Sequence, residues 1–183
     1  MICFLDTEFT DLQAPELLSI GLVSLDGREH YVELDLDCDE GQRRRAKSSV
    51  FVHEVVLDFW GAVPGAACTL QDMGRQTGDW LLRLACRTGQ RIEVALDYDI
   101  DYALLEQAIR DAGLWDSVCE VVSPVNVDSL TGTIDGELAA EEALRPLLHR
   151  GLGRHHALAD ALALRAAYVA AKGINLTSAR GSA

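Results

Sequence analysis

The chain is short of basic residues. Among its 183 residues, 16 are Lys or Arg and 29 are Asp or Glu, which gives a formal net charge of −13 at pH 7. This shortage argues against a protein that holds long nucleic acid along a broad basic face, because such binding depends on many Lys and Arg contacts to phosphate. The one basic cluster is residues 42–47, Gln-Arg-Arg-Arg-Ala-Lys. Two interpretations of this cluster stay open: a solvated loop, or a segment that steers phosphate groups toward a site.

Long apolar runs are also missing. No stretch approaches the roughly 20 apolar residues that a membrane-spanning helix needs, so we expect no membrane partner. Only four residues separate Met1 from Asp6, which leaves no room for the basic region and cleavage site of a signal peptide, and we expect a cytoplasmic location. Hydrophobic residues make up 49% of the chain and charged residues 25%. This balance predicts a single globular domain over residues 1–175, followed by a flexible tail over residues 176–183.

The cysteines offer no framework for disulfides or zinc. There are five, an odd number, and none belongs to a Cys-x-x-Cys pair. Cys3, Cys86 and Cys119 lie in apolar runs, so we expect them to be buried thiols in a reducing compartment.

Three strand-like segments open the chain. Residues 2–9 are apolar and β-prone, residues 17–25 are followed by an Asp-Gly turn signal, and residues 30–36 alternate between polar and apolar side chains. Such short connections predict an antiparallel three-strand meander.

Helix-like and strand-like segments alternate in the rest of the chain. Residues 38–66 are less regular, and we expect them to form a mobile flap near the site. Helices are predicted from residue 70 to Gly89 and over residues 102–112, 135–149 and 157–172, with strands over residues 91–98 and 121–127. The alternation favours parallel strands beside the meander. The sequence therefore predicts an α/β domain with a mixed sheet flanked by helices.

Acidic residues interrupt two of these apolar segments. Asp6 and Glu8 are two residues apart in a predicted strand, so their side chains share one face of the sheet. Asp97, Asp99 and Asp101 follow a later strand. Acids in the first turn of a helix complement its dipole, which is one explanation of this group. Asp101 is the best candidate for a metal ligand, because it stands where the strand gives way to a helix.

A histidine and a further acid occur near the end of the chain. Asp160 interrupts an Ala- and Leu-rich helix, and His155 lies in the turn five residues before it. That spacing lets both side chains reach one site. Carboxylates gathered around one point repel each other unless cations lie between them. Two divalent metal ions beside a histidine base satisfy this need and are typical of phosphodiester cleavage.

The order Asp-x-Glu, then Asp, then His-x4-Asp resembles the DEDDh family of 3′–5′ exonucleases, which have a ribonuclease H-like fold. Residues 1–10, 94–105 and 154–168 carry this resemblance. The opening Asp-Thr-Glu-Phe, with Glu-Leu-Leu-Ser-Ile-Gly at residues 16–21, is most similar to small bacterial ribonuclease T-like exoribonucleases. The second motif of the family usually has Asn where this chain has Asp97. This departure leaves Asp97 as a rival ligand to Asp101.

The resemblance implies a mechanism with a role for each residue. Asp6 is expected to bridge two Mg²⁺ or Mn²⁺ ions, with Glu8 and Asp160 on the first ion and Asp101 on the second. His155 is then the base that takes a proton from the attacking water. The expected reaction releases nucleoside 5′-monophosphates from the 3′ end of single-stranded or short RNA, with DNA as a second candidate substrate.

Three further expectations accompany this assignment. Phe9 and Thr10, just past Glu8, are candidate substrate contacts, and Phe9 stacking on the terminal base has a core phenylalanine as its alternative. A homodimer is expected, with residues 43–47 approaching the partner's site.

The alternative function is a catalytically inactive nucleic-acid-binding module of the same fold. An aspartyl phosphatase needs Asp-x-Asp and an aspartic protease needs Asp-Thr-Gly, so Glu8 argues against both.

Overall fold

The fold is built on a mixed sheet whose strands run in the order β4-β3-β2-β1-β5-β6. The computed structural model describes residues 1–175, so the predicted tail lies outside the described residues. The strands are β1 (Ile2–Phe9), β2 (Leu17–Ser24), β3 (Glu29–Leu34), β4 (Ala67–Cys68), β5 (Ile92–Leu96) and β6 (Val122–Asn126). Strands β1 to β3 form an antiparallel meander, whereas β4, β5 and β6 pair in parallel with their neighbours. The predicted fold class is confirmed, and the arrangement is consistent with a ribonuclease H-like fold.

Helices cover both faces of the sheet. Those of the described residues are α1 (Asp39–Lys47), α2 (Leu70–Thr88), α3 (Asp99–Asp111), α4 (Trp115–Val118), α5 (Asp128–Thr131), α6 (Ile134–Leu144) and α7 (Ala157–Ala171), with a π-helical turn at Val52–Val56 and 3₁₀ turns at Leu57–Phe59 and Arg145–Arg150. Helices α2, α3 and α4 contribute to one hydrophobic cluster, and α7 packs on β1 and β2 in others.

Side-chain alternation along β1 decides where its acids lie. Leu5 belongs to the cluster formed with α2 and α3, whereas Phe4 packs on the opposite side against α7. The rings of Phe4 and Tyr168 of α7 are 5.2 Å apart. Because side chains repeat every two residues in a strand, Asp6 and Glu8 continue the row formed by Ile2 and Phe4. Both acids therefore project toward the α7 side of the sheet.

The expectation that residues 38–66 are irregular is wrong, and so is the loop interpretation of the basic cluster. Helix α1 begins after Cys38, whose Sγ accepts a hydrogen bond from the backbone N–H of Gly41 at 3.4 Å. Its first turn carries Asp39 and Glu40, and its last turn carries basic residues. This charge order complements the helix dipole, and i,i+4 pairs such as Glu40 with Arg44 support it further.

Two smaller expectations also need correction. Helix α3 begins at Asp99, three residues earlier than predicted, so Asp99 and Asp101 lie in a helical turn and do not continue the strand. Cys3 is buried as expected, but Cys86 and Cys119 are exposed. Cys86 lies on the solvent-facing side of the amphipathic helix α2, so it is exposed even though the residues just before it in sequence are apolar.

Candidate metal centre

Helix α7 brings Asp160 to the two acids of β1. Each of the three carboxylates, those of Asp6, Glu8 and Asp160, offers an oxygen, and these oxygens lie within 4.8 Å of one another. The helix reaches this position because Gly21, the pairing partner of Asp6 in β2, has no side chain. A Cβ added at Gly21 would lie 2.2 Å from the carbonyl oxygen of Ala157, at the start of α7. Close packing of helix on sheet therefore assembles this half of the centre.

A second group forms at the carboxyl end of β5. Asp97 follows that strand directly, Asp101 lies in the first turn of α3, and together with Asp6 they offer oxygens within 4.8 Å of one another. Thr7 of β1 fixes Asp101, because its hydroxyl donates a 2.6 Å hydrogen bond to Asp101 Oδ1. Asp99 is not part of the group and instead accepts a hydrogen bond from Asn126 Nδ2 at 2.8 Å.

Asp6 belongs to both groups, and one of its oxygens has no other partner. Within residues 1–175, Asp6 Oδ2 is buried and makes no hydrogen bond. An unpaired buried carboxylate oxygen is costly unless a cation compensates it. Carboxylate oxygens are also the donors that hard divalent cations such as Mg²⁺ and Mn²⁺ prefer. The residues present therefore fit a pair of such ions that share Asp6.

The carboxylates raise one another's pKa values. Burial raises the pKa of Asp6 well above its usual range, and the charges of Glu8, Asp160, Asp101 and Asp97 raise it further, in that order. Burial, followed by the charges of Asp160 and Asp101, raises the pKa of Glu8 to about 8. Burial likewise raises the pKa of Asp101 to about 7. The carboxyl groups of the centre therefore hold protons more tightly than free carboxyl groups do, and cations that bind there compete with those protons.

The structure separates the two adjacent histidines. His155 has a left-handed backbone conformation, with φ of 64°, and its N–H donates a 2.7 Å hydrogen bond to Asp160 Oδ2. Its ring meets the edge of Phe51 at a centroid distance of 4.9 Å. His156 is only 3% exposed, and its ring stacks on that of Tyr31 with the two centroids 4.4 Å apart. Burial lowers the pKa of His156 to about 4, so this residue is a neutral core histidine.

Two cavities meet at the centre, with volumes of about 630 and 480 Å³. They share four lining residues, which are Asp6, Asp97, His155 and Asp160. The smaller cavity is the more aromatic of the two, and its lining includes Phe9, Phe51 and Tyr98. The larger one lies along α6 and α7. His155, unlike His156, thus faces open space beside the carboxylates.

The chain matches no protein-family model and no curated protein. The likeness in motif order to the DEDDh exonucleases therefore stays a prediction from the residues. In residues 1–175, every helix is too short or too polar to span a bilayer.

The structure brings most of the predicted candidate residues close to one another. The structure brings together Asp6, Glu8, Asp101, Asp160 and His155, and Phe9 lines the smaller cavity. Thr10 does not join them: it is 1% exposed, and its hydroxyl accepts a 3.1 Å hydrogen bond from the N–H of Glu16.

Sequence reasoning missed two residues and left one undecided. Thr7, which fixes Asp101, lies between the two acids of β1, and this position was its only signal. Phe51, which touches His155, is 51% exposed in a segment that was predicted to be irregular. The sequence leaves Asp97 as a rival to Asp101, whereas the structure places both carboxylates in the same group.

Three of the four basic residues in the cluster form ion pairs within the chain. Arg43 and Lys47 both pair with Glu16, the latter at 2.8 Å, and Arg44 pairs with Glu40 at 2.8 Å. The hydrogen bonds from Arg43 and Lys47 lower the pKa of Glu16 to about 2. These three cations therefore have acidic partners close by, which weakens the phosphate-steering interpretation.

Proposed function

We propose that this protein is a metal-dependent 3′–5′ exonuclease acting on single-stranded or short RNA. The observation that carries the proposal is the pair of three-carboxylate groups that share Asp6, with His155 lining the cavities on both sides of them. DNA is the second candidate substrate. The five cysteines are all free thiols, which supports a reducing, cytoplasmic compartment as part of the same proposal.

Five carboxylates hold the metal ions in this proposal. Asp6 would contribute to both ions, Glu8 and Asp160 to the first, and Asp97 and Asp101 to the second. Bound there, Mg²⁺ or Mn²⁺ supplies Lewis acidity that makes a water molecule more acidic and stabilises negative charge on the phosphodiester oxygens.

His155 is the base of the reaction. A ring nitrogen of His155 takes the proton of the attacking water, and the water oxygen forms a bond to phosphorus while the bond from phosphorus to the 3′ oxygen of the penultimate nucleotide breaks. That oxygen takes up a proton and leaves as a 3′-hydroxyl, and the terminal residue is released as a nucleoside 5′-monophosphate. The hydrogen bond from its backbone to Asp160 fixes the base relative to the carboxylates. Phe51, packed edge-on against the ring, limits its rotation.

The smaller cavity suits the terminal nucleobase. Phe9 lines it beside Glu8, and stacking of a base on an aromatic ring contributes about 1–3 kcal/mol without selecting a particular base. The net charge of −13 disfavours a long basic track, so a short or single-stranded substrate fits better.

Incubation with 5′-labelled single-stranded RNA and DNA, with Mg²⁺, Mn²⁺ or excess chelator, tests the proposal. We expect products that shorten by one nucleotide at a time with metal and no reaction with chelator. Asp6→Asn should abolish the reaction, whereas Asp99→Asn, a change of the same kind just outside the centre, should not. Internal cleavage or full activity in chelator would contradict the proposal. Binding of RNA without hydrolysis would favour the inactive binding module.

A homodimer stays part of the proposal. Its support is the shortage of basic side chains around the carboxylates, since Arg43, Arg44 and Lys47 have acidic partners within the chain. Sedimentation at the concentration used for the activity measurement tests this point. A fully active monomer would contradict it.

A further inference from the structure

One basic side chain stands at the edge of the carboxylate centre. Arg154 directly precedes His155 and lines the larger cavity together with Asp6 and Asp160. In the part of the chain that the structure describes, Arg154 is the only Lys or Arg that lines either cavity. The same cavity is otherwise bordered by further acids, which are Asp128, Glu137 and Glu141.

Arg154 is held by an acid of helix α6. Its Nε donates to Glu141 Oε1 at 3.1 Å, and its Nη2 donates to the same oxygen. The two side chains are 52% and 56% exposed, and ion pairs this exposed contribute little net stability. The guanidinium can therefore exchange Glu141 for another anion at little cost.

Arg154 faces the centre itself, because it lines the same cavity as Asp6 and Asp160. Five carboxylates carry one more negative charge than two divalent cations neutralise. A phosphate anion that enters this cavity therefore meets a negative surface, and Arg154 is the available counter-charge.

We infer that Arg154 binds a phosphate group of the substrate or product and exchanges Glu141 for it. A guanidinium suits this task because its planar donors match two phosphate oxygens at once. Glu141 thus competes with phosphate and restrains binding. The inference rests on the proposed function, since it assumes that the cavity receives a nucleotide.

Binding of 5′-AMP and of adenosine, measured calorimetrically with Mg²⁺ present, tests the inference. We expect Arg154→Gln to weaken 5′-AMP binding about tenfold and to leave adenosine binding unchanged. Arg154→Lys should restore part of the affinity, because an ammonium keeps the charge without the paired donors. Glu141→Gln should tighten 5′-AMP binding by releasing Arg154. Arg150→Gln is the matched control, since Arg150 lines neither cavity and lies near Glu29, at 3.5 Å.

Several results would overturn the inference. Unchanged 5′-AMP binding by Arg154→Gln, an equal loss for adenosine, or no 5′-AMP binding by the unmodified protein would each do so. Failure of the proposed function looks different, because the protein would then leave RNA intact while 5′-AMP binding still depended on Arg154. If RNA is hydrolysed and Arg154→Gln leaves both KM and 5′-AMP affinity unchanged, the function stands and the role of Arg154 is rejected.

Discussion

At the residue scale, Asp6 is the residue on which the candidate centre depends. Its carboxylate belongs to both oxygen groups, and its buried Oδ2 has no hydrogen-bond partner in residues 1–175. Thr7 fixes Asp101 and the N–H of His155 engages Asp160, whereas Asp6 Oδ2 accepts no such hydrogen bond from the described residues. Its carboxylate is therefore the one that most needs a cation.

Replacement of each adjacent histidine distinguishes a base from a core residue. His155→Ala should lower the exonuclease rate by about 10²–10⁴, the usual contribution of a positioned base, and leave Mn²⁺ binding largely intact. His156→Ala should have a milder effect on the rate and should lower stability, because it removes a ring stacked on Tyr31. Steady-state rates on a short RNA, with thermal unfolding of each variant, provide the comparison. A silent His155→Ala beside a crippling His156→Ala would contradict the assignment.

The pair Asp97 and Asp101 gives a second prediction at this scale. Both carboxylates lie in one group with Asp6, so Asp97→Asn and Asp101→Asn should each weaken Mn²⁺ binding by at least about tenfold. Asp99→Asn is the control, because Asp99 instead engages Asn126. Calorimetric titration with Mn²⁺ measures all three variants. Normal binding by Asp97→Asn would show that Asp101 alone serves the second ion.

The spacing of residues in the sequence predicts most members of the candidate centre, because side chains close in sequence have a fixed relative direction in a strand or helix. Asp6 and Glu8 share a face because strand side chains alternate, and this follows from residue numbers alone. The place of Asp97 depends on where α3 begins, which the acidic run of residues 97–101 left uncertain. Phe51 was missed because its contact with His155 joins two segments that are far apart in sequence.

At the element scale, apolar periodicity predicted the strands and the long helices, and charge order explains the helix that was missed. Strand β1 and helix α2 carry continuous apolar patterns, whereas α1 has few apolar residues to reveal its period. Helix α1 is stabilised by acidic residues in its first turn and basic residues in its last turn. A segment so rich in charged residues has the same composition as a solvated loop, so composition alone does not reveal the helix. The two-residue strand β4 depends on pairing with β3, which no local pattern encodes.

The close packing of α7 on β2 at Gly21 can be tested by adding a side chain there. Gly21→Ala places a Cβ 2.2 Å from the carbonyl oxygen of Ala157, so the start of α7 must move. We expect a loss of stability of about 1–3 kcal/mol together with weaker Mn²⁺ binding, because Asp160 moves with the helix. Gly41→Ala is the control, since its Cβ meets the carbonyl oxygen of Asp35 at 2.0 Å, outside the centre. This control should lose stability and keep its Mn²⁺ affinity. Normal Mn²⁺ binding by Gly21→Ala would show that metal binding does not depend on the close packing of α7 against β2.

At the scale of the whole molecule, the acidic centre couples stability to pH. The folded protein raises the pKa of Glu8 from 4.5 to about 8 and that of Asp101 from 3.8 to about 7. A raised carboxyl pKa means that the folded state holds the proton more tightly than the unfolded state does. The stabilisation is therefore complete below about pH 4 and is lost as the pH rises through 7 and 8. His30 and His156, whose pKa values burial lowers to about 4, act in the opposite direction, but only below about pH 6.5.

Thermal unfolding in excess chelator between pH 6.5 and 8.5 isolates the carboxylates. We expect the metal-free protein to lose about 1–3 kcal/mol of stability across this window, and Mg²⁺ or Mn²⁺ to restore it at the upper end, because cations replace the lost protons. Glu8→Gln should flatten the pH dependence and stabilise the metal-free protein at pH 8.5, since it removes a charge from the repelling group. A metal-free protein whose stability stays constant or rises over this range would contradict the electrostatic account. Restoration by Mg²⁺ of equal size in Asp6→Asn would show that the cations bind elsewhere.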